Sequence, residues 1–303
     1  MFMLAILTAT YNRASRIKKL FDSLLKQNDK NFVWIIVDDG STDDTEKTVK
    51  SFNSSSFEIR YLKKKNGGKA SALNFAFRSC KDILFFIVVD SDDYLMDNAI
   101  QIIREKVIIY EKNKEVGAIF FRYVTADGEL LKSKKKKVLD KEQILSRYEH
   151  DAVYGKYDGC IGYYKKVVDT YLYPEYKDEI YMGPIVLQMM MNEQYKIVFT
   201  NNIVGVAEYL PNGLTRSGRQ LRLNNPLGMI HYCGLLQSKQ NPSWISRIKY
   251  AINAQAYRIY NKISKNDLKK YDLKRYIKKW AYIPGLILEI YWKKRRSNKR
   301  GSC

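Results

Sequence analysis

The sequence predicts an α/β fold: a mostly parallel sheet flanked by helices, followed by a helical, basic C-terminal extension. Three observations carry this. Leu4 to Thr8, Phe32 to Val37 and Ile83 to Val89 are apolar runs of strand length, rich in Ile, Val and Phe. Runs of that kind read as strands covered on both faces. They alternate with segments whose apolar residues recur at helical spacing, the mark of strand–helix–strand units joined by right-handed crossovers. After Pro226 the strand signals stop and basic residues accumulate.

Leu4 to Thr8 is the first strand. Ile17, Leu20, Phe21, Leu24 and Leu25 then repeat at i, i+3, i+4, i+7 and i+8, an amphipathic helix. Phe32 to Val37 is the second strand. The Asp38-Asp39-Gly40-Ser41-Thr42-Asp43 turn after it supplies Ser41 or Thr42 to cap a helix with acids in its first turn. Phe57 to Leu62 is a third strand, and Ala70, Leu73 and Phe77 form one face of a short helix. Ile83 to Val89 is the fourth strand. A helix on Ile100, Ile103, Val107 and Tyr110 and a strand from Ala118 to Val124 complete this half. Pattern then weakens to about Tyr181. Tyr195 to Thr200 and Ile203 to Glu208 read as two further strands. Beyond Pro226, Ile245, Ile248, Ile252 and Ile259 lie on one helical stripe.

Composition bounds the function. Apolar content of 46% and charged content of 28% are globular values. The net charge of +21 implies an anionic partner. Its distribution is uneven: Lys262 to Cys303 holds 14 basic and 3 acidic residues, about half of the excess. Cys80, Cys160, Cys233 and Cys303 are scattered without metal-ligand spacing, as expected of free thiols in a reducing compartment. Met1 to Thr10 lacks a basic leader, and no window approaches the roughly 18 apolar residues of a spanning helix. The expected location is the cytoplasm.

The chemistry falls where strands end, the usual ligand crevice of open α/β sheets. Four clusters sit there: Thr8-Ala9-Thr10-Tyr11-Asn12-Arg13, Asp38 to Asp43, Asn66-Gly67-Gly68-Lys69, and Asp90-Ser91-Asp92-Asp93. Tyr11 can stack on a base, and Asp39 can accept a hydrogen bond from a base or ribose. Gly67 and Gly68 allow close backbone approach, with Lys69 as a point charge for phosphate at a helix start. Three carboxylates after a buried strand repel one another unless a cation sits among them. Mg2+ or Mn2+ takes oxygen ligands, often one or two carboxylates plus substrate phosphates.

On the segments ILTATYNR, VDDGSTDDT, NGGKASALN and DSDD, the stretch from Leu4 to about Ile103 resembles the nucleotide-sugar domain of a family 2 glycosyltransferase of GT-A fold. The resemblance implies nucleotide-sugar contacts from Thr8, Thr10, Tyr11, Arg13, Asp39, Lys69 and Asp90, with Asp92 on the metal. The expected division is residues 1–125 as the nucleotide-sugar-binding half of the GT-A domain, 126–225 as its acceptor-binding half, and 226–303 as a helical, basic, membrane-associated extension. Tyr173-Pro174-Glu175-Tyr176 with Asp178-Glu179, and Val206 to Thr215, resemble the acceptor half of bacterial members. Such members place an acid, the general base, at the start of the next helix. Here Gly183-Pro184 opens that helix, and Pro184 stands where the acid is expected. Glu179 or Asp178, reaching in from the preceding loop, is the expected catalytic base, with Glu208 next in line. His150 and His231 are expected to be structural, and Thr215, Arg216 and Arg219 are candidates for a mobile loop over the diphosphate.

The implied reaction is inverting transfer of a sugar from a nucleotide-diphosphate sugar to a glycan acceptor, either lipid-linked or a free oligosaccharide, for a surface polysaccharide. The two competing readings are a sugar-phosphate nucleotidyltransferase and a non-catalytic partner subunit. Thr10-Tyr11-Asn12-Arg13 replaces the Gly-rich loop expected of the former. No recognised nucleic-acid module appears, so nucleic acid is not the expected partner. Between Trp280 and Trp292 the chain reads WAYIPGLILEIYW, flanked by Lys278, Lys279 and Lys293 to Arg296. That stretch is too short to span but suited to an anionic membrane surface, peripheral on the inner face of the cell membrane.

Overall fold

A computed structural model describes residues 4–133, 136–207 and 214–300. The elements run β1 (Leu4–Thr10), α1 (Ile17–Leu25), β2 (Val33–Asp38), α2 (Thr45–Lys50), β3 (Glu58–Lys63), α3 (Lys69–Ser79), β4 (Phe85–Val88), β5 (Tyr94–Leu95), α4 (Ala99–Tyr110) and β6 (Val116–Val124). Next come β7 (Gln143–Leu145), α5 (Arg147–Val153), β8 (Gly159–Tyr164), α6 (Lys165–Val168), α7 (Val186–Met191) and β9 (Lys196–Val206). The remainder is helical: α8 (Leu214–Leu223), broken at Gly218, then α9 (Pro226–Leu236), α10 (Trp244–Tyr260), α11 (Lys265–Lys270) and α12 (Tyr282–Arg300).

The chain divides into two units, one of Met1–Tyr173 with Leu187–Leu210, the other of Pro174–Val186 with Pro211–Cys303. Residues beyond 125 contribute β7, β8 and β9 to the same sheet as β1.

Among the described residues the sheet of the first unit has nine strands in the order β3-β2-β1-β4-β8-β6-β9-β5, with β7 paired to β9. The β3-β2-β1-β4 half is parallel throughout. Beyond it, β8 runs antiparallel to both β4 and β6, whereas β6 and β9 are parallel. Both faces are covered. Ile6, Trp34, Ile36, Phe85 and Ile87 cluster with Leu20 and Leu24 of α1 and Ile100 and Ile103 of α4. On the other face Phe77 of α3 meets Phe86 edge-on at 5.2 Å. Register sets the site: Thr10 pairs with Asp38, Asp38 with Lys63, and Leu7 with Val88, so these strands finish along one edge.

Three expectations change. The two strands read at Tyr195–Thr200 and Ile203–Glu208 are one strand, β9. Its register shifts between Phe120↔Phe199 and Arg122↔Ile203, and that irregularity is what the sequence displays as a break. The isoleucine stripe of α10 is not its packed face: Ile245 and Ile248 are exposed, whereas Ala251, Ala254, Gln255, Ala256 and Tyr257 are buried. Small side chains there let neighbouring helices approach. The third is β8, which the sequence hides behind two glycines. A Cβ on Gly159 would lie 2.0 Å from the backbone oxygen of Phe121, an impossible contact that no side-chain rotation relieves.

In the second unit α9, α10 and α12 enclose a core of Leu227, Ile230, Cys233, Ala254, Tyr257 and Trp292. Gly159→Ala is expected to destabilise the first unit by about 2–3 kcal/mol or prevent folding, since the strand backbone must move. Urea unfolding measures this; a loss under about 0.5 kcal/mol, the range of ordinary surface substitutions, would rule out the tight β6–β8 approach.

Candidate functional site

The loops after β1 and β2 interlock. Asn12, at φ 51°, accepts the Thr42 amide on Oδ1 at 2.8 Å. The Asn12 amide donates to Ser41 Oγ at 2.9 Å, and the Arg13 amide to Thr45 Oγ1 at 2.9 Å. Asp38 Oδ1 accepts the Ser41 amide at 2.7 Å, while Asp38 Oδ2 accepts the Tyr61 hydroxyl at 2.6 Å. Seven polar residues thereby hold one turn geometry, which leaves Tyr11 46% exposed at its edge.

Asp39 is the anchor. Its buried carboxylate accepts the amide of Gly67 at 3.0 Å on Oδ1 and the amide of Gly68 at 2.6 Å on Oδ2. Lys64 Nζ pairs with Oδ1 at 2.9 Å. Gly68 holds φ 85°, a conformation that L side chains rarely adopt, and its carbonyl starts the α3 ladder. The glycines therefore turn their amides toward Asp39 and set Lys69 at the first position of α3.

From there Lys69 forms an ion pair with Asp90, which follows β4. Burial disfavours the Lys69 ammonium, yet the Asp90 carboxylate beside it raises its pKa above the ordinary lysine value. Asp92 and Asp93 move the other way. Burial, then the negative charge of Asp90, raises the Asp92 carboxyl, with Arg13 partly offsetting. Asp93 is raised further, by burial and by its neighbours Asp90 and Asp92. With all three carboxyls ionised the cluster would hold more negative charge than Arg13 and Lys69 offset, an imbalance that a divalent cation relieves. Among the described residues no three His, Cys, Asp or Glu side chains converge as a ready-made cage. The donor set fits a cation held by one or two carboxylates and completed by phosphate oxygens and water, the habit of Mg2+.

Most expected donor-site residues meet here: Tyr11, Arg13, Asp39, Lys69, Asp90 and Asp92. Thr8 does not. It is fully buried, and its Oγ1 accepts the Trp34 indole N–H at 3.1 Å, so it positions the core and presents nothing to a ligand. Strand alternation explains this, since Thr8 shares the inward face of Leu4 and Ile6. Thr10 is also buried, but its Oγ1 makes no hydrogen bond. Asp93 joins the site from the acidic cluster, and Lys64 completes it without having been singled out. Lys64 stands within Lys63-Lys64-Lys65, and nothing in that run marks which lysine turns inward.

Asp178 and Glu179 belong to the second unit. Asp178, at φ 63°, is exposed. Glu179 accepts the Leu227 amide on Oε1 at 2.7 Å and the Gly228 amide on Oε2 at 2.8 Å, at the start of α9. Burial outweighs those two donors and pushes its pKa up to about 7. The helix expected from Gly183-Pro184 begins at Val186, and Pro184 is exposed. His150 is buried and stacked on Phe199 at 3.8 Å, and His231 bonds the Tyr176 hydroxyl at 2.6 Å. Burial lowers the pKa of both, and both are structural. Arg219 lies over Tyr291 and Trp292, 6.0 and 5.9 Å from the ring centroids. Glu208 and the stretch 209–213 lie outside the described residues, as do the side chains of Thr215 and Arg216.

Residues 5–172, more than half of the chain, match the family described as glycosyl transferase family 2. The chain belongs to that family. The uncharacterised glycosyltransferase MG025 homolog of Mycoplasma pneumoniae is 33% identical over 128 residues, 41% of each chain. Glycosyltransferase GlyA of Streptococcus pneumoniae is 27% identical over 114 residues, 38% of this chain and 16% of the relative. The chain therefore spans less than half the length of these relatives. Among solved structures, S. aureus TarS 1-349 in complex with UDP-GlcNAc is 15% identical with a TM-score of 0.59, covering 93% of this chain and 83% of that one. The mannosyltransferase PcManGT from Pyrobaculum calidifontis, in complex with GDP-Man and Mn2+, is 14% identical with a TM-score of 0.52, covering 96% and 87%. At such identities the likeness speaks for the fold, which is GT-A.

Removing the anchor is expected to be costly. Asp39→Ala leaves Lys64 and two amides without their acceptor and should lower stability by about 3 kcal/mol, the scale of breaking a buried pair. Chemical denaturation checks it, and a change below about 1 kcal/mol would deny Asp39 its anchoring role.

Proposed function

We propose that this chain transfers a sugar from a nucleotide-diphosphate sugar to an acceptor hydroxyl, with inversion at the anomeric carbon. The acceptor in this reading is a growing glycan carried on a lipid. The observation that carries the donor side is the convergence at the ends of β1, β2 and β4. There Asp39 is held by backbone amides, and Arg13 and Lys69 face the Asp90–Asp93 cluster. Two proteins of the same fold hold UDP-GlcNAc, or GDP-Man with Mn2+, which supports this donor class.

Each group has a chemical task. The exposed Tyr11 ring stacks on the base. Asp39 accepts three donors from the protein, and a carboxylate accepts about four, leaving one position for a base N–H or ribose hydroxyl. Lys69 and Arg13 face the diphosphate. Mg2+ or Mn2+ on Asp92, with Asp90 beside it, would offset charge on the departing diphosphate. The Thr8 side chain, buried and bonded to Trp34, makes no donor contact in this reading.

Glu179 is the base in this reading. It takes the proton from the acceptor hydroxyl as that oxygen bonds the anomeric carbon and the bond to the diphosphate breaks. A carboxyl pushed up to about 7 is matched to a neutral working pH. Its engagement with α9 favours a second reading, a non-catalytic partner that binds nucleotide sugar, because both oxygens already have donors.

Asp92→Asn is expected to remove most metal-dependent donor binding, seen by thermal shift against UDP, GDP, CDP and dTDP sugars with Mn2+. Turnover should fall on the order of a hundredfold. Full wild-type turnover in excess EDTA would sink the metal assignment. The base must be ionised, so log kcat should rise by one per pH unit and level off above about pH 7. Glu179→Gln should abolish that rise and cut transfer at least about a hundredfold, with donor affinity nearly unchanged. Transfer that survives both Glu179→Gln and Asp178→Asn would move the base elsewhere. Donor binding without transfer to any acceptor would favour the partner reading.

A further inference from the structure

The helix α12 has two apolar faces, and only one is packed. Gly285, Glu289 and Trp292 are buried at i, i+4 and i+7, and Trp292 lies 4.9 Å from the Tyr257 ring of α10. The opposite side repeats the same spacing with Ile283, Ile287 and Ile290, which are 68%, 64% and 45% exposed. Trp280 and Tyr282 at one end and Tyr291 at the other are exposed too. A helix that packs on one side needs one apolar stripe; the second requires an occupant.

Charge identifies it. Lys278 and Lys279 precede the stripe, and Lys293, Lys294 and Arg295 follow it. The three acids between Lys262 and Cys303 are all committed. Asp267 caps α11 by exchange with Ser264, and Asp272 pairs with Arg275 at 3.3 Å. Glu289 is buried and pairs with Lys293. The isoleucine stripe is therefore framed by segments in which basic residues outnumber acidic ones. A second copy docking by a symmetric interface would bring two such basic frames together, which repel. No helix among the described residues is long and apolar enough to cross a membrane.

We infer that α12 lies in the headgroup region of an anionic bilayer. Ile283, Ile287 and Ile290 enter the acyl boundary, Trp280, Tyr282 and Tyr291 sit at headgroup level, and the flanking lysines meet the lipid phosphates. The inference does not rest on the transfer chemistry, because binding alone tests it.

The experiment is co-sedimentation of the full chain with vesicles of phosphatidylcholine alone or mixed with phosphatidylglycerol. Binding to the anionic vesicles is expected to be at least about tenfold tighter and to weaken only in part at high salt, since the buried apolar part is unscreened. Ile283→Glu with Ile287→Glu should cut binding at least about tenfold, while Ile283→Leu with Ile287→Leu should retain it. The far-UV circular dichroism and melting midpoint of the Glu variant should match wild type, because both positions are exposed. In Trp244→Phe protein, brominated acyl chains should quench Trp280. Equal binding to neutral vesicles, undiminished binding of the Glu variant, or a dimer in light scattering that the same substitutions abolish would each overturn the inference.

Discussion

The site depends on one buried carboxylate. Asp39 stands just beyond β2 and takes two amides from the Gly67-Gly68 turn and the ammonium of Lys64. A carboxylate in that position costs several kcal/mol to desolvate unless its lone pairs are met. The chain meets them by turning its backbone, which requires glycine at Gly68, where φ is 85°. That turn fixes where α3 starts, and hence where Lys69 sits relative to Asp90. A local demand for hydrogen bonds at the end of β2 thus controls geometry at the end of β4.

The acidic cluster shows the complementary logic. Asp90, Asp92 and Asp93 follow a strand that is covered on both faces, so their carboxylates enter partly dry surroundings together. Two positive charges, Arg13 and Lys69, approach from loops far apart in the chain. Burial, and after it the negative charge of their neighbours, raises the Asp92 and Asp93 carboxyls, and those two positive charges offset only part of this. A site left electrically unsatisfied by its own protein is suited to a cation that arrives with phosphate.

In the second unit the same device ties a loop to a helix. Glu179 accepts the Leu227 and Gly228 amides at the start of α9, and Asn225 accepts those of Ile180 and Tyr181 in return. Two of these four bonds satisfy helix-end donors that would otherwise lack partners, and the other two satisfy loop amides. Burial of the Glu179 carboxyl outweighs its two amide donors and pushes its pKa up to about 7.

The sequence by itself determined the strand–helix alternation, the parallel pairing it implies and the polar clusters at the strand ends. Burial on both faces writes itself as unbroken Ile, Val and Phe, and turn chemistry writes itself as Asp, Gly and Asn. Tertiary structure decided what those signals do not encode. It turned Thr8 inward to Trp34, because a threonine in a strand carries no mark of the face that its register selects. It chose Lys64 from three adjacent lysines by the position of Asp39. It revealed β8, where Gly159 is needed for close strand approach and so erases the pattern by which strands are read. In α10 it packed alanines and left Ile245 and Ile248 outside, because helices approach most closely where side chains are small. Periodicity names a stripe, but only the neighbouring helices determine whether that stripe is covered.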